Sequence, residues 1–303
     1  MRSAPHPFTL RQLQYVVAVA EERSFRRAAD RCGVSQPSLS AQIAQLEGAL
    51  GAQFFERARR PLIPTAAGAE LVERAARLLV LADDLAVAVR RAGDPLAGTM
   101  RLGVIPTISP YLLPRIAPAL RKRFPRLAIA WLEDKTETLA RYLFQGTVDA
   151  AIVALEEDVG DVEQEVIATD PFVLVVPRGH DLAAKAAAVR PSALRGQPLL
   201  LLDEGHCFRK QALEVCGAAR ESEFRATSLS TLVQMVAGGA GITLLPALAV
   251  PTEARRASLG IRPLASPAAH RTVGMIWRRR SPRDAALRQI TAVMRSAYPA
   301  AEP

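Results

Sequence analysis

Residues 24–68 read SFRRAADRCGVSQPSLSAQIAQLEGALGAQFFERARRPLIPTAAG, and the punctuation of this stretch decides the N-terminal fold. Ser24 caps a helix over Phe25–Cys32 that buries Phe25, Ala28 and Ala29, and Gly33 ends it in a left-handed conformation. Ser35 opens the next helix with Pro37 in its first turn, where a missing N–H costs nothing; Leu39, Ile43, Leu46 and Leu50 form its buried stripe. Two short helices joined by a Gly-containing turn make a helix-turn-helix unit. Upstream, Thr9 caps a further helix with the stripe Leu10, Leu13, Val17 and Ala20. The Ser35 helix leaves Gln36, Ser38, Ser40 and Gln42 on or near its free side, short or amide side chains able to read base edges. Downstream, Arg57, Arg59 and Arg60 sit on a proline-punctuated ribbon, the make-up of a wing against the DNA backbone or minor groove. The plainer alternative is a three-helix packing module with solvated arginines.

Composition narrows the class. A chain of 303 residues suits about two domains, and half hydrophobic with 23% charged residues is the balance of a folded globular protein. No uninterrupted apolar run of about 18 residues exists, which argues against a spanning helix. The opening MRSAPHPFTLRQLQ lacks the apolar core of a secretory signal, so a cytoplasmic location is expected. Much of the net charge of +9 gathers at the N-terminus, where residues 1–66 hold nine arginines against five acids. Three cysteines, Cys32, Cys207 and Cys216, are too few for a disulfide-stapled scaffold.

From about Leu10 to Gly68 the chain resembles, without a gap, the winged helix-turn-helix of the LysR-type transcriptional regulators. That resemblance implies that the helix from Ser35 to Leu46 enters the major groove of promoter DNA. It makes Gln36, Ser38 and Gln42 the candidate readers, with Ser35 a further DNA-binding residue, and puts Arg57, Arg60 and Thr65 at the wing. Apolar residues then recur at 71, 75, 78, 82, 85 and 89, a heptad seam widened by Val72, Leu79 and Ala86, which predicts a dimerising helix. Gly93, Asp94, Pro95 and Gly98 break it into a hinge. The expected organisation is a DNA-binding domain (1–66), a linker helix (67–92), a hinge (93–98) and a regulatory domain (99–303). A dimer would present two recognition helices to two half-sites.

Past the hinge, MRLGVI, LAIAWLE and VDAAIVA read as strands separated by helices, a βαβαβ order that predicts a parallel sheet with binding loops at the strand ends. FVLVVP, PLLLL and GITLLP read as a second unit of that kind, while TVGMIW and a helix from Pro282 to Tyr298 return to the first. The family resemblance implies two α/β lobes like a periplasmic binding protein: lobe I at about 99–168 and 273–303, lobe II at about 169–272. The predicted fold class is thus an all-α winged helix-turn-helix with a small wing, plus a two-lobed α/β regulatory domain.

Cys207 follows a strand and His206, and Cys216 comes nine residues later across FRKQALEV, a run of good helix formers. The spacing is not that of a zinc knuckle, and His180 and His270 lie in other loops, so no metal and no cofactor are expected. A reactive cysteine needs a cation or a helix N-terminus to favour its thiolate; Cys207 has the second, and His206 could supply the first. The bland reading is two buried cysteines on a core helix.

GHC, the second cysteine, FRATSL and GITLLPALAVP are similar to the peroxide-sensing members of the LysR-type family. This resemblance implies that Cys207 is oxidised by hydrogen peroxide and Cys216 resolves the product to a disulfide. It also implies a pocket of Thr107, Thr136, His206 and Arg271, a homodimer or homotetramer on promoter DNA, and RNA polymerase as a partner. Threonine hydroxyls would hold the peroxide oxygens, and Arg271 would stabilise the thiolate and the departing hydroxide. If 207–216 is one helix, its ends stand about 13 Å apart, against the roughly 7 Å a disulfide tolerates, so oxidation must refold it. Other readings are a regulator answering a small organic effector, with structural cysteines, and a thiol peroxidase, against which the DNA-binding half argues. Three features depart from the family pattern: MRSAPHPF, read as a mobile arm or a start codon placed too early; Pro61 and Pro64 in the wing; and Cys32, read as packing.

Overall fold

The structure is a computed structural model that describes residues 6–56, 61–90, 95–184, 187–217, 219–255 and 257–299. It divides into two compact units, Met1–Gly93 with Phe144–Gly146, and Asp94–Leu143 with Thr147–Pro303. No described helix is long and apolar enough to cross a membrane.

The first unit opens with α1 (Leu10–Glu22), whose cap is reciprocal: Gln12 N–H donates to Thr9 Oγ1 at 3.2 Å, and Thr9 N–H donates to Gln12 Oε1 at 2.9 Å. Ser24 caps α2 (Phe25–Cys32), Gly33 ends it at φ 65°, and Ser35 caps α3 (Gln36–Leu50), as their sequence signals predict. Val16, Val19, Ala28, Leu39, Ile43, Leu46, Phe54 and Phe55 form the core, with Phe25 packed edge-on to Phe55. Two stripe residues are exceptions. Leu10 is 50% exposed and Leu50 38% exposed. The buried face of α1 runs instead through Leu13, Val16 and Val19, because the unbroken apolar run 16–20 sets no unique phase and α1 packs against α2, α3 and a fourth helix.

The wing is a two-stranded antiparallel ribbon, β1 (Phe55–Glu56) and β2 (Ile63–Pro64). Arg57, Arg59 and Arg60 lie outside the described residues. At Gly68 a Cβ would come within 2.0 Å of the Phe54 carbonyl oxygen, so the close seating of the wing base on the next helix requires glycine. That helix, α4 (Ala66–Arg90), packs Leu71 and Val72 on the core and buries Ala75. Further along, Leu78, Leu81 and Leu85 are 43%, 64% and 67% exposed. The predicted seam therefore splits, its first turns serving the DNA-binding core and its later ones facing outward; the side chains of Ala86 and Val89 lie outside the described residues, as do Gly93 and Asp94 of the hinge.

The second unit begins with β3 (Gly98–Val104), α5 (Ser109–Arg123), β4 (Leu127–Glu133), α6 (Thr136–Phe144) and β5 (Ala150–Ala154). β3 pairs in parallel with both β4 and β5, the predicted βαβαβ. Next comes β6 (Val162–Pro177), a 16-residue ribbon. Its first half pairs antiparallel with β11 (His270–Arg278), which also pairs antiparallel with β5, and α10 (Asp284–Ala297) packs on this lobe against α5. Its second half, past Asp170 and Pro171, enters lobe II and pairs antiparallel with β9 (Thr243–Pro246) and β10 (Leu259–Pro263). There β7 (Pro198–Leu202), α7 (Cys207–Cys216) and β8 (Arg220–Ala226) form a parallel βαβ unit, followed by α8 (Leu229–Ala237) and the short α9 (Val250–Glu253).

Lobe II thus differs from a repeat of the first unit. FVLVVP is the far end of a ribbon shared with lobe I and runs antiparallel to GITLLP. The near half, VEQEVIAT, went unread because acids alternate with its apolar residues, and RESEFRA of β8 because a strand bonded to one neighbour tolerates charges.

Candidate functional site

Cys207 is the first residue of α7, reached from β7 through a loop in which Gly205 takes φ 81°. His206 occupies the N-cap position and makes no side-chain cap; the Arg209 N–H donates to the His206 carbonyl at 3.0 Å. Burial pushes the Cys207 thiol pKa up; the Arg271 guanidinium, the Thr136 hydroxyl and the Phe208 N–H pull the other way without cancelling it. His206 is held below its usual range by burial and then by the Lys135 ammonium, against a small opposing pull from Asp203. Burial thus works against both the cation that the sequence reading offered at His206 and a thiolate at Cys207.

Arg271 is fully buried, and each of its three guanidinium nitrogens donates a hydrogen bond. Its Nε and one terminal nitrogen donate to Asp170 Oδ2 at 3.0 and 2.9 Å. That same terminal nitrogen also donates to the Thr107 carbonyl at 3.1 Å, and the other donates to Thr107 Oγ1 at 2.8 Å. Arg271 and Asp170 face each other across β11 and β6 at the lobe crossover, and Asp170 Oδ1 accepts the Leu248 N–H from lobe II at 2.9 Å. Asp170 was absent from the sequence-derived set; the available signal was a single acid within the strand-like ATDPFVLVV.

Thr107, Thr136, His206 and Cys207, together with Ile105, Pro106, Lys135 and Gly205, line a small, partly open crevice, too narrow in this structure to hold a water molecule. Arg271 is not in its wall but stands behind Thr107. Thr136, at the start of α6, carries a buried hydroxyl with no hydrogen-bond partner of ordinary geometry. Cys216, at the far end of the unbroken α7, is 1% exposed, and burial pushes its pKa up to about 12. Among the described residues no cluster of His, Cys, Asp or Glu could hold a metal ion.

On the DNA-binding unit, Gln36 and Ser38 are exposed on the first turn of α3, and Gln42 is half-buried one turn on. The Ser35 hydroxyl accepts the Ser38 N–H at 3.4 Å. Thr65 Oγ1 donates to the Gln53 carbonyl at 2.7 Å and accepts the Gly68 N–H at 3.0 Å, so this hydroxyl ties the wing base to α4. Arg57 and Arg60 lie outside the described residues. Cys32 is half-buried against the apolar core of the DNA-binding unit.

Comparison with known proteins fits both halves. Residues 10–69 match the bacterial regulatory helix-turn-helix protein, lysR family, and residues 93–299 match the LysR substrate binding domain. A probable hydrogen peroxide-inducible genes activator of Mycobacterium avium is 44% identical over 290 residues, covering 94% of this chain and 93% of the relative. A full-length OxyR variant from Pseudomonas aeruginosa superposes with a TM-score of 0.79 at 34% identity, covering 99% of this chain and 100% of that one. A hydrogen peroxide-bound cysteine-to-serine mutant of Corynebacterium glutamicum OxyR does so with a TM-score of 0.65 at 32% identity, covering 98% and 94%. The chain belongs to the LysR family of bacterial helix-turn-helix regulators, in its OxyR group, and is a DNA-binding transcription regulator rather than an enzyme.

Proposed function

We propose that this regulator answers hydrogen peroxide through Cys207 and Cys216. The observation that carries the reading is the meeting of the Thr107 and Thr136 hydroxyls and His206 at the Cys207 thiol in one small crevice, where the buried Thr136 hydroxyl has no hydrogen-bond partner other than that thiol. A thiol is a weak hydrogen-bond partner, and a peroxide oxygen in the crevice would give this hydroxyl a stronger one. Thr107, already accepting from Arg271, keeps its own O–H to offer to a second oxygen.

The Cys207 sulfur attacks one peroxide oxygen as the O–O bond breaks. The departing oxygen takes up the proton that leaves the thiol and goes as water, and Cys207 becomes a sulfenic acid. Arg271 stabilises the charge that develops, without having to move. The Cys216 thiol then attacks the Cys207 sulfur, the S–O bond breaks, a second water leaves and a disulfide forms. Because α7 is continuous, its ends stand about 13 Å apart, beyond the roughly 7 Å a disulfide spans. Closure therefore requires α7 to unwind, giving up the ion pair of Arg209 with Glu221 and the edge-on packing of Phe208 on Phe172.

The output is a change in promoter contacts of an oligomer in the cytoplasm, read out through RNA polymerase. The outward leucines of α4 support a homodimer through residues 67–92, with a homotetramer built from two such pairs. Gln36, Ser38 and Gln42 would read bases, with Ser35 and Thr65 orienting the backbone around them and Arg57 and Arg60 on the phosphates. Alkylation and peptide mass analysis before and after one equivalent of hydrogen peroxide test the chemistry. A two-hydrogen loss localised to a Cys207–Cys216 peptide, absent in Cys216→Ser, is expected. If both thiols stay alkylatable, the reading fails in favour of a regulator that answers a small organic effector.

A further inference from the structure

Asp170 lies outside the crevice wall, yet its carboxylate governs a residue inside it. It is 1% exposed and stands opposite Arg271 in the register of β6 and β11, where β6 passes from lobe I to lobe II. Its Oδ2 accepts from Arg271 Nε at 3.0 Å and from one terminal nitrogen at 2.9 Å, while Oδ1 accepts the Leu248 N–H at 2.9 Å. A planar guanidinium held at two nitrogens has little freedom to turn. Its remaining nitrogen is thereby aimed at Thr107 Oγ1, 2.8 Å away. A threonine hydroxyl carries one hydrogen; with a lone pair already taken by Arg271, Thr107 is left to donate toward the crevice.

We propose that Asp170 is a positioning residue for the peroxide reaction, clamping Arg271 so that the Thr107 hydroxyl is held as a hydrogen-bond donor to the peroxide oxygen. This rests on the peroxide chemistry assigned above to Cys207. The clamp also neutralises a cation that favours the thiolate. The other charged or titratable groups facing Cys207 are Glu157, which opposes the thiolate, the neighbouring His206, and Lys135, whose ammonium donates to the Glu204 carbonyl at 2.6 Å. Asp170 thus gives up some thiolate in exchange for alignment. Removing its charge should separate the two effects, because a reagent that needs only the thiolate gains where one that also needs Thr107 loses.

The test uses the purified, reduced full-length chain with Asp170→Asn and Asp170→Glu. Oxidation of Cys207 by hydrogen peroxide and its alkylation by iodoacetamide are followed at neutral pH by peptide mass analysis. In Asp170→Asn, oxidation should fall about tenfold or more, the scale of a lost alignment. Alkylation should rise about threefold, from roughly ten times more thiolate partly offset by its lower nucleophilicity. In Asp170→Glu, which keeps the charge but displaces the guanidinium, oxidation should fall while alkylation stays near the wild-type rate. Cys216, buried at the far end of α7, should remain slow to alkylate in both, which separates these effects from unfolding. Wild-type oxidation rates in both variants would overturn the proposal. So would rapid alkylation of Cys216 in both, or a common fall of oxidation and Cys207 alkylation in Asp170→Asn, either of which would make Asp170 a support of the fold alone. A wild-type chain inert to hydrogen peroxide would bring down the peroxide reading itself, an outcome separate from any difference between the variants.

Discussion

Desolvation dominates at Cys207, with consequences for its chemistry. A thiol reacts through its thiolate, and a pKa raised above the ordinary range leaves that form scarce at neutral pH and more abundant as pH rises. Peptide-resolved alkylation of Cys207 by iodoacetamide should therefore accelerate about tenfold per pH unit from pH 6 to 9, without levelling off. A plateau near neutrality would mean a stable thiolate and contradict the protonated resting state. The buried pair of Arg271 and Asp170 makes a second prediction. Asp170→Asn strands a buried guanidinium, a loss of roughly 3–5 kcal/mol. Denaturant unfolding followed by the fluorescence of Trp131 and Trp277, both in lobe I, should show it; a change below about 1 kcal/mol would mean that Arg271 finds other partners. Neither Asp170 nor Lys135 was legible beforehand. Their partners lie 101 and 69 residues away in sequence, and no local pattern encodes such a contact.

Elements were legible where local chemistry alone decides them. Ser24, Gly33 and Ser35 bound α2 and α3 because caps and left-handed residues act within one turn. The phase of α1 and the two halves of β6 depended on what packs against them, which spacing does not record. Thr107, Thr136, His206 and Arg271 came together only through the family resemblance, since they lie on four different segments. α7 is the element on which the switch turns. Its amides between Arg209 and Val215 are protected in a continuous helix, and disulfide closure should expose them. Hydrogen exchange should show that loss of protection in the oxidised wild type and not in peroxide-treated Cys216→Ser. Unchanged protection in a chain that holds the disulfide would contradict the unwinding.

For the whole molecule, three exposed leucines on one helix are costly to leave in water, and burial of each against a partner is worth about 1.5–3 kcal/mol. Replacing Leu81 and Leu85 by Asp should shift the chain to a monomer in sedimentation while leaving Cys207 oxidation intact, because the thiol and its pocket lie wholly within the second unit. An unchanged oligomer would show that assembly runs through the regulatory domain alone. Coupling between that domain and the DNA is the account's central claim. Hydroxyl-radical footprinting on a bound promoter fragment tests it, with the wild type and Cys207→Ser compared before and after hydrogen peroxide. A protection pattern that changes in the wild type, stays fixed in Cys207→Ser and returns on reduction is the predicted result. The same change in Cys207→Ser would contradict it.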